Sequence, residues 1–281
     1  MYCTNCGFKY APDSKICINC GSLTPSQKHY MDDIDGFIFP KIDVIQVLYA
    51  SVVFCKSRFR ELAGLSFFVF LSYMCLALNE LFTGYEPLFI FIFIVYFSTL
   101  IIIGPRLIMA FPFMINALID GNKVTIPQAY RQSYGKYWLW LGRFGLLSLP
   151  MVIPILFQIP LHLAFTLGTV IGCFVHAFFY MFCPMISIEP VTKNYLINSY
   201  KMINGNYKSA LILILIKAIP IHLINLSRIY VFEGNTAATF TIGVIIAVIY
   251  FFVYPLMETI EVIVYKQLKG SLMDSKTHDE N

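Results

Sequence analysis

The sequence predicts an all-α membrane protein with six transmembrane helices, arranged as three repeated hairpin units with amphipathic connector helices, plus a small N-terminal zinc ribbon. Composition, cysteine spacing and a repeated proline predict this class. Of the 281 residues, 58% are hydrophobic and 13% are charged, whereas about a quarter of a soluble domain is charged. So little charge excludes an ordinary soluble protein, and an aromatic content of 16% excludes intrinsic disorder.

The N-terminal cysteines form two C-x2-C pairs, each followed by glycine: Cys3, Cys6, Cys17 and Cys20. Two such pairs can complete a tetrahedral shell around Zn²⁺, and this spacing favours zinc over the alternative of two disulfides. Four protein ligands leave no open position for a substrate, so the zinc is expected to be structural and not catalytic. Thiolates persist on a reducing side, which predicts that the ribbon is cytoplasmic.

Hydropathy divides the chain into a zinc ribbon at 1–22, a polar linker at 23–41, a membrane domain at 42–269 and a disordered tail at 270–281. Each predicted span is long enough to cross a hydrocarbon layer of ~30 Å as a helix. The six spans are 63–82, 87–110, 137–159, 161–183, 208–227 and 237–257.

The distribution of lysine and arginine predicts the orientation. Eighteen of the 20 cations lie before the first span, from Arg106 to Arg143, from Lys193 to Lys208, or after the last span. Cytoplasmic loops carry such an excess, so both termini are expected in the cytoplasm. This orientation agrees with a reduced zinc site.

The membrane domain is predicted to contain three copies of one unit. Each unit has an amphipathic helix, a span that leaves the cytoplasm, and a returning span that ends near a proline. These prolines, Pro112, Pro184 and Pro255, are 72 and 71 residues apart, and Ser51, Ser133 and Ser199 hold equivalent places before them. Repeats of this kind are found in transporters, where a site forms between them, but they also arise by duplication of a stable hairpin.

The connector helices start with recognisable caps. Thr125 and Gln128 predict a capping box, and Asp43 and Gln46 have the same spacing in the first unit. The helices are expected to lie in the cytoplasmic headgroup layer with their tyrosines at the interface, or alternatively only to cap the bundle. Apolar residues at helical spacing form one face of each of these helices: Ile126, Tyr130, Tyr134 and Tyr137, then Leu196, Tyr200, Ile203 and Tyr207.

Lys217, Glu258 and Glu261 form the candidate intramembrane polar site. A cation at the depth expected for Lys217 costs at least ~2.5–3.5 kcal/mol, so such a residue usually faces a cavity or a partner. Glu258 and Glu261 are possible partners, although the predicted depths disfavour direct contact with Lys217. Pairing with Arg106 or Arg143 is expected for the two glutamates. A purely structural, hydrogen-bonded lysine is the alternative.

No enzyme motif is present: the sequence lacks H-E-x-x-H, G-x-S-x-G, the phosphate-binding G-x-x-x-x-G-K-[ST] and the dinucleotide glycine pattern. The aromatic residues follow membrane-helix spacing, so nucleic acid is not expected as a partner. The sequence therefore predicts a protein that is not an enzyme.

The Cys3 to Cys20 pattern resembles the short zinc ribbon at the N-terminus of many bacterial proteins. The remainder, with connectors such as Ser133-Tyr134 and spans ending at Pro112, Pro184 and Pro255, resembles uncharacterised bacterial membrane domains. This group includes the membrane domain attached to some glycerophosphodiester phosphodiesterases. The resemblance implies a Gram-positive-like plasma membrane, and no hydrolysis is carried over because the catalytic barrel of those enzymes is absent.

The leading hypothesis is a non-enzymatic multi-pass plasma-membrane protein. Its zinc ribbon would dock a protein partner or a second copy, and its bundle would organise or sense membrane lipid or a membrane partner. The alternative is a transporter or channel subunit for a small solute, with Lys217 in the path. A membrane enzyme acting on lipids has almost no residue evidence.

Overall fold

The computed structural model describes residues 39–81, 90–91, 94, 104–133, 136, 161–189, 195–218 and 236–279. The regular elements within these ranges are helices and none is a β-strand, which confirms the all-α class. The helices are α1 Val44–Leu81, α2 Gly104–Ile119, α3 Ile126–Gln132, α4 Leu161–Phe178, α5 Phe182–Ile188, α6 Tyr195–Ile203, α7 207–218 and α8 Thr236–Asp279.

The two longest helices, α1 and α8, pack side by side along much of their length. Tyr73 stacks on Tyr250 with ring centroids 4.1 Å apart, and Cys55 Sγ lies 3.1 Å from Thr259 Oγ1. Residue numbers fall along α1 as they rise along α8, so the two helices are antiparallel. This pair forms one wall of the bundle.

A break inside α1 separates two parts of the helix. Arg58 has non-helical backbone angles, with φ −120° and ψ 15°. The break lies between the first part, which starts at Val44, and the part that contains the predicted span 63–82. One long helix with a kink thus contains both the predicted connector and the predicted span of the first unit.

Gly243 of α8 lies against Ala77 of α1, at a close contact between the two helices. A Cβ atom added at Gly243 would lie 2.6 Å from Ala77 Cβ and 3.2 Å from Ala77 Cα. Small residues at such a contact let two helix backbones come together. The absence of a side chain at Gly243 is therefore part of the α1–α8 packing.

Gly243→Ala is expected to lower the free energy of unfolding by about 1–2 kcal/mol, because overpacking outweighs the better helix propensity of alanine. Gly270→Ala is the matched control on the same helix, since nothing lies within 4 Å of a Cβ at that position. SDS titration in detergent micelles measures both variants. Equal stabilities for the two variants would show that the Gly243 contact is unimportant.

Among the described residues, one helix is long and apolar enough to cross a membrane, at Ala237–Ser271. The segments Thr166–Phe178 and Phe182–Ile188 pass the same test together, but they bend by 53° where they meet. The described part of the chain thus supports one spanning helix, or two with the bent pair, and not the six predicted. The predicted span 137–159 lies entirely outside the described residues, as do parts of 87–110 and 208–227.

Large apolar side chains are exposed on several of the described helices. Water rarely covers so much apolar surface on a monomeric protein, whereas lipid covers it at no cost. The exposure is therefore consistent with membrane association. The residues include Phe67 and Leu71 on α1, Leu167, Val170 and Phe174 on α4, Ile212 and Ile216 on α7, and Ile245, Val248 and Phe252 on α8.

The helices do not end at the repeated prolines, contrary to the sequence-based expectation. Pro112 lies inside α2, Pro184 lies inside α5 and Pro255 lies inside α8. A proline inside a helix removes one backbone hydrogen bond and crowds the carbonyl four residues earlier, but contacts with packed neighbours can hold the helix through it. Helix α8 continues to Asp279, through most of the segment 270–281 for which a disordered tail is predicted.

The predicted helix caps are present. The Thr125 amide donates to Gln128 Oε1 at 2.8 Å in a capping box, which confirms the start of α3. In the first unit the Gln46 amide donates to Asp43 Oδ1 at 3.0 Å. Asn194, which takes the Gln place in the third unit, lies outside the described residues.

The apolar faces of the connectors are only partly buried. On α6 Ile203 is buried and Tyr200 is exposed, and the repeated serines Ser51, Ser133 and Ser199 are all buried. Helix α6 also buries Asn198. A small hydroxyl allows close packing and can bond to its own helix, as Ser51 Oγ does to the Val47 carbonyl at 2.7 Å. The connectors thus point their small polar positions at the bundle.

Candidate functional site

Lys217 on α7 contacts both glutamates of α8 directly. Its Nζ atom lies 2.9 Å from Glu261 Oε1 and 3.9 Å from Glu258 Oε1. The expectation that depth separates these residues was wrong. Arg106 lies over the Tyr130 ring, with its guanidinium carbon 5.6 Å from the ring centroid. Arg143, the other expected partner of the glutamates, lies outside the described residues.

The continuous helix α8 explains why the three residues meet. Glu258 and Glu261 are three residues apart and therefore share one helix face. Because α8 does not stop near Pro255, this face stays inside the bundle, and the two glutamates are only 3% and 8% exposed. The long aliphatic side chain of Lys217 then lets its ammonium reach the two glutamates.

A cavity of about 210 Å³ adjoins Lys217. Its inner wall includes Leu213, Tyr250 and Met257, which are buried. Ile216 and Ile249 also line it and are 44% and 39% exposed, so the cavity opens toward the apolar surface of the bundle. The site therefore combines an apolar space with an ammonium in its wall.

The polar cluster contains one cation and two acidic groups. One ammonium faces two carboxylates, and Glu258 Oε2 is buried without a hydrogen-bond partner. An unpartnered buried acceptor costs free energy. The arrangement is thus held together by Lys217, since its removal would leave two buried carboxylates side by side.

A second buried cluster surrounds Glu189, which follows α5 and is 1% exposed. Its carboxylate accepts hydrogen bonds from the Tyr265 hydroxyl and the Lys269 ammonium, both on α8. Its backbone carbonyl accepts from the Lys136 ammonium, and the Tyr195 hydroxyl lies 3.5 Å away. Glu189 thereby connects α5 with α6, α8 and the end of the second connector.

Sequence reasoning missed Glu189 and its partners. They come from positions up to 80 residues apart, so no local spacing joins them. Glu189 follows Pro184 by five residues, whereas Glu258 and Glu261 follow Pro255 by three and six. Alignment of the repeats on their prolines places Glu189 opposite Ile260, so the repeat gives no signal for this carboxylate.

Lys136 also donates to the Ser187 carbonyl at 3.2 Å. Burial lowers the pKa of Lys136 to about 8, and attraction to Glu189 offsets only part of this effect. At neutral pH the side chain is therefore still mostly protonated and can donate to both carbonyls.

The end of the N-terminal linker is fastened to the start of α7. The Asn206 side chain donates to the Pro40 carbonyl at 2.8 Å and accepts from the Ile42 amide at 2.9 Å. The Lys41 ammonium donates to the Gly205 carbonyl at 2.6 Å, and Ser209 Oγ donates to the Ile42 carbonyl at 3.2 Å. We call these contacts the linker clamp.

The predicted zinc ligands Cys3, Cys6, Cys17 and Cys20 lie outside the described residues. Within the part of the chain that the structure describes, no three His, Cys, Asp or Glu side chains are arranged to hold a metal ion. The prediction of a zinc ribbon thus continues to rest on the cysteine spacing.

No protein-family model, curated protein or solved structure matches this chain. The function must therefore be argued from the site and the sequence motifs.

Proposed function

We propose that this chain is a non-enzymatic, multi-pass protein of a bacterial plasma membrane, with both termini in the cytoplasm. Its zinc ribbon docks a protein partner or a second copy, and its bundle senses or organises membrane lipid. The observation that carries the proposal is the apolar cavity beside the Lys217 cluster, whose rim belongs to the exposed apolar surface. A lipid chain can enter such a cavity from the membrane without crossing a polar region.

The linker clamp supports a link between the ribbon and the bundle. Pro40 is in the last part of the predicted linker and bonds to Asn206, and Ile42, the first residue of the predicted membrane domain, bonds to Ser209. Lys217 lies eight residues after Ser209 on α7, about two helical turns away. A partner that pulls on the ribbon would therefore act on the helix that carries the polar cluster.

Zinc content tests the ribbon first. The purified full chain is expected to contain one zinc ion, because four thiolates complete one tetrahedral shell. Cys3→Ser/Cys6→Ser is expected to lose this zinc, whereas Cys75→Ser, which changes a cysteine outside the motif, retains it. Elemental analysis by mass spectrometry gives the ratio. Equal zinc in both variants, or none in the wild type, would contradict a zinc ribbon.

Docking is tested by crosslinking and co-purification from native membranes at matched levels of wild type and Cys3→Ser/Cys6→Ser. A stoichiometric partner, or a dimer of this chain, is expected in the wild type and is lost in the double variant. A partner retained equally in both samples would rule out docking through the ribbon.

Transport of a small solute is the second candidate function. Two observations favour it. The ion cluster includes Lys217, a residue of a predicted span, and Glu258 Oε2 in the same cluster is buried without a hydrogen-bond partner. Proteoliposomes with a pH-sensitive dye and a sodium-sensitive dye inside provide the test. Flux of protons or sodium ions that is lost in Lys217→Met/Glu258→Gln/Glu261→Gln would support transport, and an equal leak in both proteins would contradict it for these ions.

A further inference from the structure

The cavity beside Lys217 suits a ligand that is almost entirely hydrocarbon. Most of its lining is aliphatic, and among the described residues its wall carries polar groups from only Lys217, Tyr180 and Tyr250. Its volume of about 210 Å³ exceeds that of an engineered aliphatic cavity of ~150 Å³ in another protein, which stays dry and binds benzene. Part of an acyl chain therefore fits, and there is room for one small polar group at the wall.

Lys217 has hydrogen-bonding capacity left for a ligand. An ammonium has three N–H donors. Among the described residues Glu261 accepts one of them at 2.9 Å, while Glu258 Oε1 lies at 3.9 Å, beyond hydrogen-bonding distance. About a third of the Lys217 side chain (34%) is accessible, and the residue lines the cavity. An acceptor atom in the cavity can therefore bond to it.

The charges of the cluster argue against an ionised ligand group. An anionic headgroup would face an ammonium that already pairs with Glu261 and would lie close to a second acidic group, Glu258, so its own charge would have no free counter-ion. A cationic headgroup would meet the Lys217 ammonium first, because the partnerless Glu258 Oε2 atom is fully buried and not accessible from the cavity. An uncharged oxygen acceptor has neither disadvantage.

We infer that the cavity binds an uncharged diacylglycerol-type lipid, with an acyl chain between α7 and α8 and an ester or hydroxyl oxygen that accepts a hydrogen bond from Lys217. This inference rests on the proposed function and specifies the lipid that the bundle senses. The exposed rim residues Ile216 and Ile249 provide entry from the surrounding lipid.

Photolabelling tests the inference with the full chain in nanodiscs of phosphatidylethanolamine and phosphatidylglycerol. The probes are a diacylglycerol, a fatty acid, a long-chain amine and a plain hydrocarbon, each with a diazirine at the same chain position. The diacylglycerol is expected to label the cavity-lining peptides of α7 and α8. The hydrocarbon should label them at least about tenfold less, because a hydrogen bond to a charged donor is lost.

Two tryptophan variants locate the site. Ile249→Trp narrows the rim of the cavity. It is expected to reduce diacylglycerol labelling about tenfold, because roughly two methylene groups of the acyl chain can then no longer be buried. Val248→Trp is the matched control, because Val248 is the exposed neighbour on α8 and does not line the cavity. Both variants should keep the wild-type melting temperature, since both positions are exposed.

The outcomes distinguish two claims: that the cavity binds a lipid, and that this lipid is an uncharged diacylglycerol. Stronger Ile249-dependent labelling by the fatty acid or the amine would overturn the diacylglycerol inference and leave a lipid-sensing bundle in place. Labelling by all four probes to the same extent would likewise overturn the role of Lys217. If no probe labels the cavity peptides in a manner that depends on Ile249, the lipid-sensing part of the proposed function fails as well.

Discussion

Glu189→Ala is expected to lower the free energy of unfolding by about 3–5 kcal/mol, the cost of breaking a buried ion pair by removing one partner. The substitution leaves the Lys269 ammonium and the fully buried Tyr265 hydroxyl without their acceptor. It acts where α5 and α8 meet, so the loss affects the packing of the second and third units. SDS titration in detergent micelles measures the change.

Lys266→Ala is the matched control for this prediction. Lys266 lies on the same helix and pairs with Asp120, but that pair is accessible to solvent, with side chains 27% and 47% exposed. Exposed pairs contribute about 0–1 kcal/mol. If Glu189→Ala and Lys266→Ala destabilise the chain equally, Glu189 is not the buried connection that its contacts indicate.

Local features of the fold could be predicted from the sequence. Helix caps depend on residues three apart, and those at Asp43 and Thr125 are present as expected. Helical character follows from composition and periodicity over one segment at a time. The need of Lys217 for a partner could also be predicted from its local sequence, because a cation in an apolar run needs a partner wherever the run folds.

Contacts between distant segments could not be predicted in the same way. The sequence identifies Glu258 and Glu261 as possible partners of Lys217, but it disfavours direct contact because the last span is predicted to end at residue 257, near Pro255. The proline does not end α8, so the depth argument failed. Glu189 was missed because its partners are set by how α5, α6 and α8 pack, which no periodicity encodes.

Lys217→Met is expected to lower the free energy of unfolding by about 3 kcal/mol, near the lower end for a broken buried pair because a third of the lysine side chain is accessible. The variant leaves Glu258 and Glu261 next to each other without a cation. Arg58→Met is the matched control: its pair with Glu61 at 3.4 Å is exposed, so its loss should cost at most about 1 kcal/mol.

Lys217→Met/Glu258→Gln/Glu261→Gln is expected to recover most of the loss, because replacement of a whole buried ion cluster by neutral groups removes both the attraction and the cost of desolvation. Such recovery provides a folded variant without the charged groups, so ligand binding can be measured without a large loss of stability. The stable triple variant should then bind diacylglycerol about tenfold more weakly than the wild type, since its cavity wall no longer presents a charged donor. If the triple variant unfolds as easily as Lys217→Met, the three side chains stabilise the bundle mainly by packing and not by the balance of their charges.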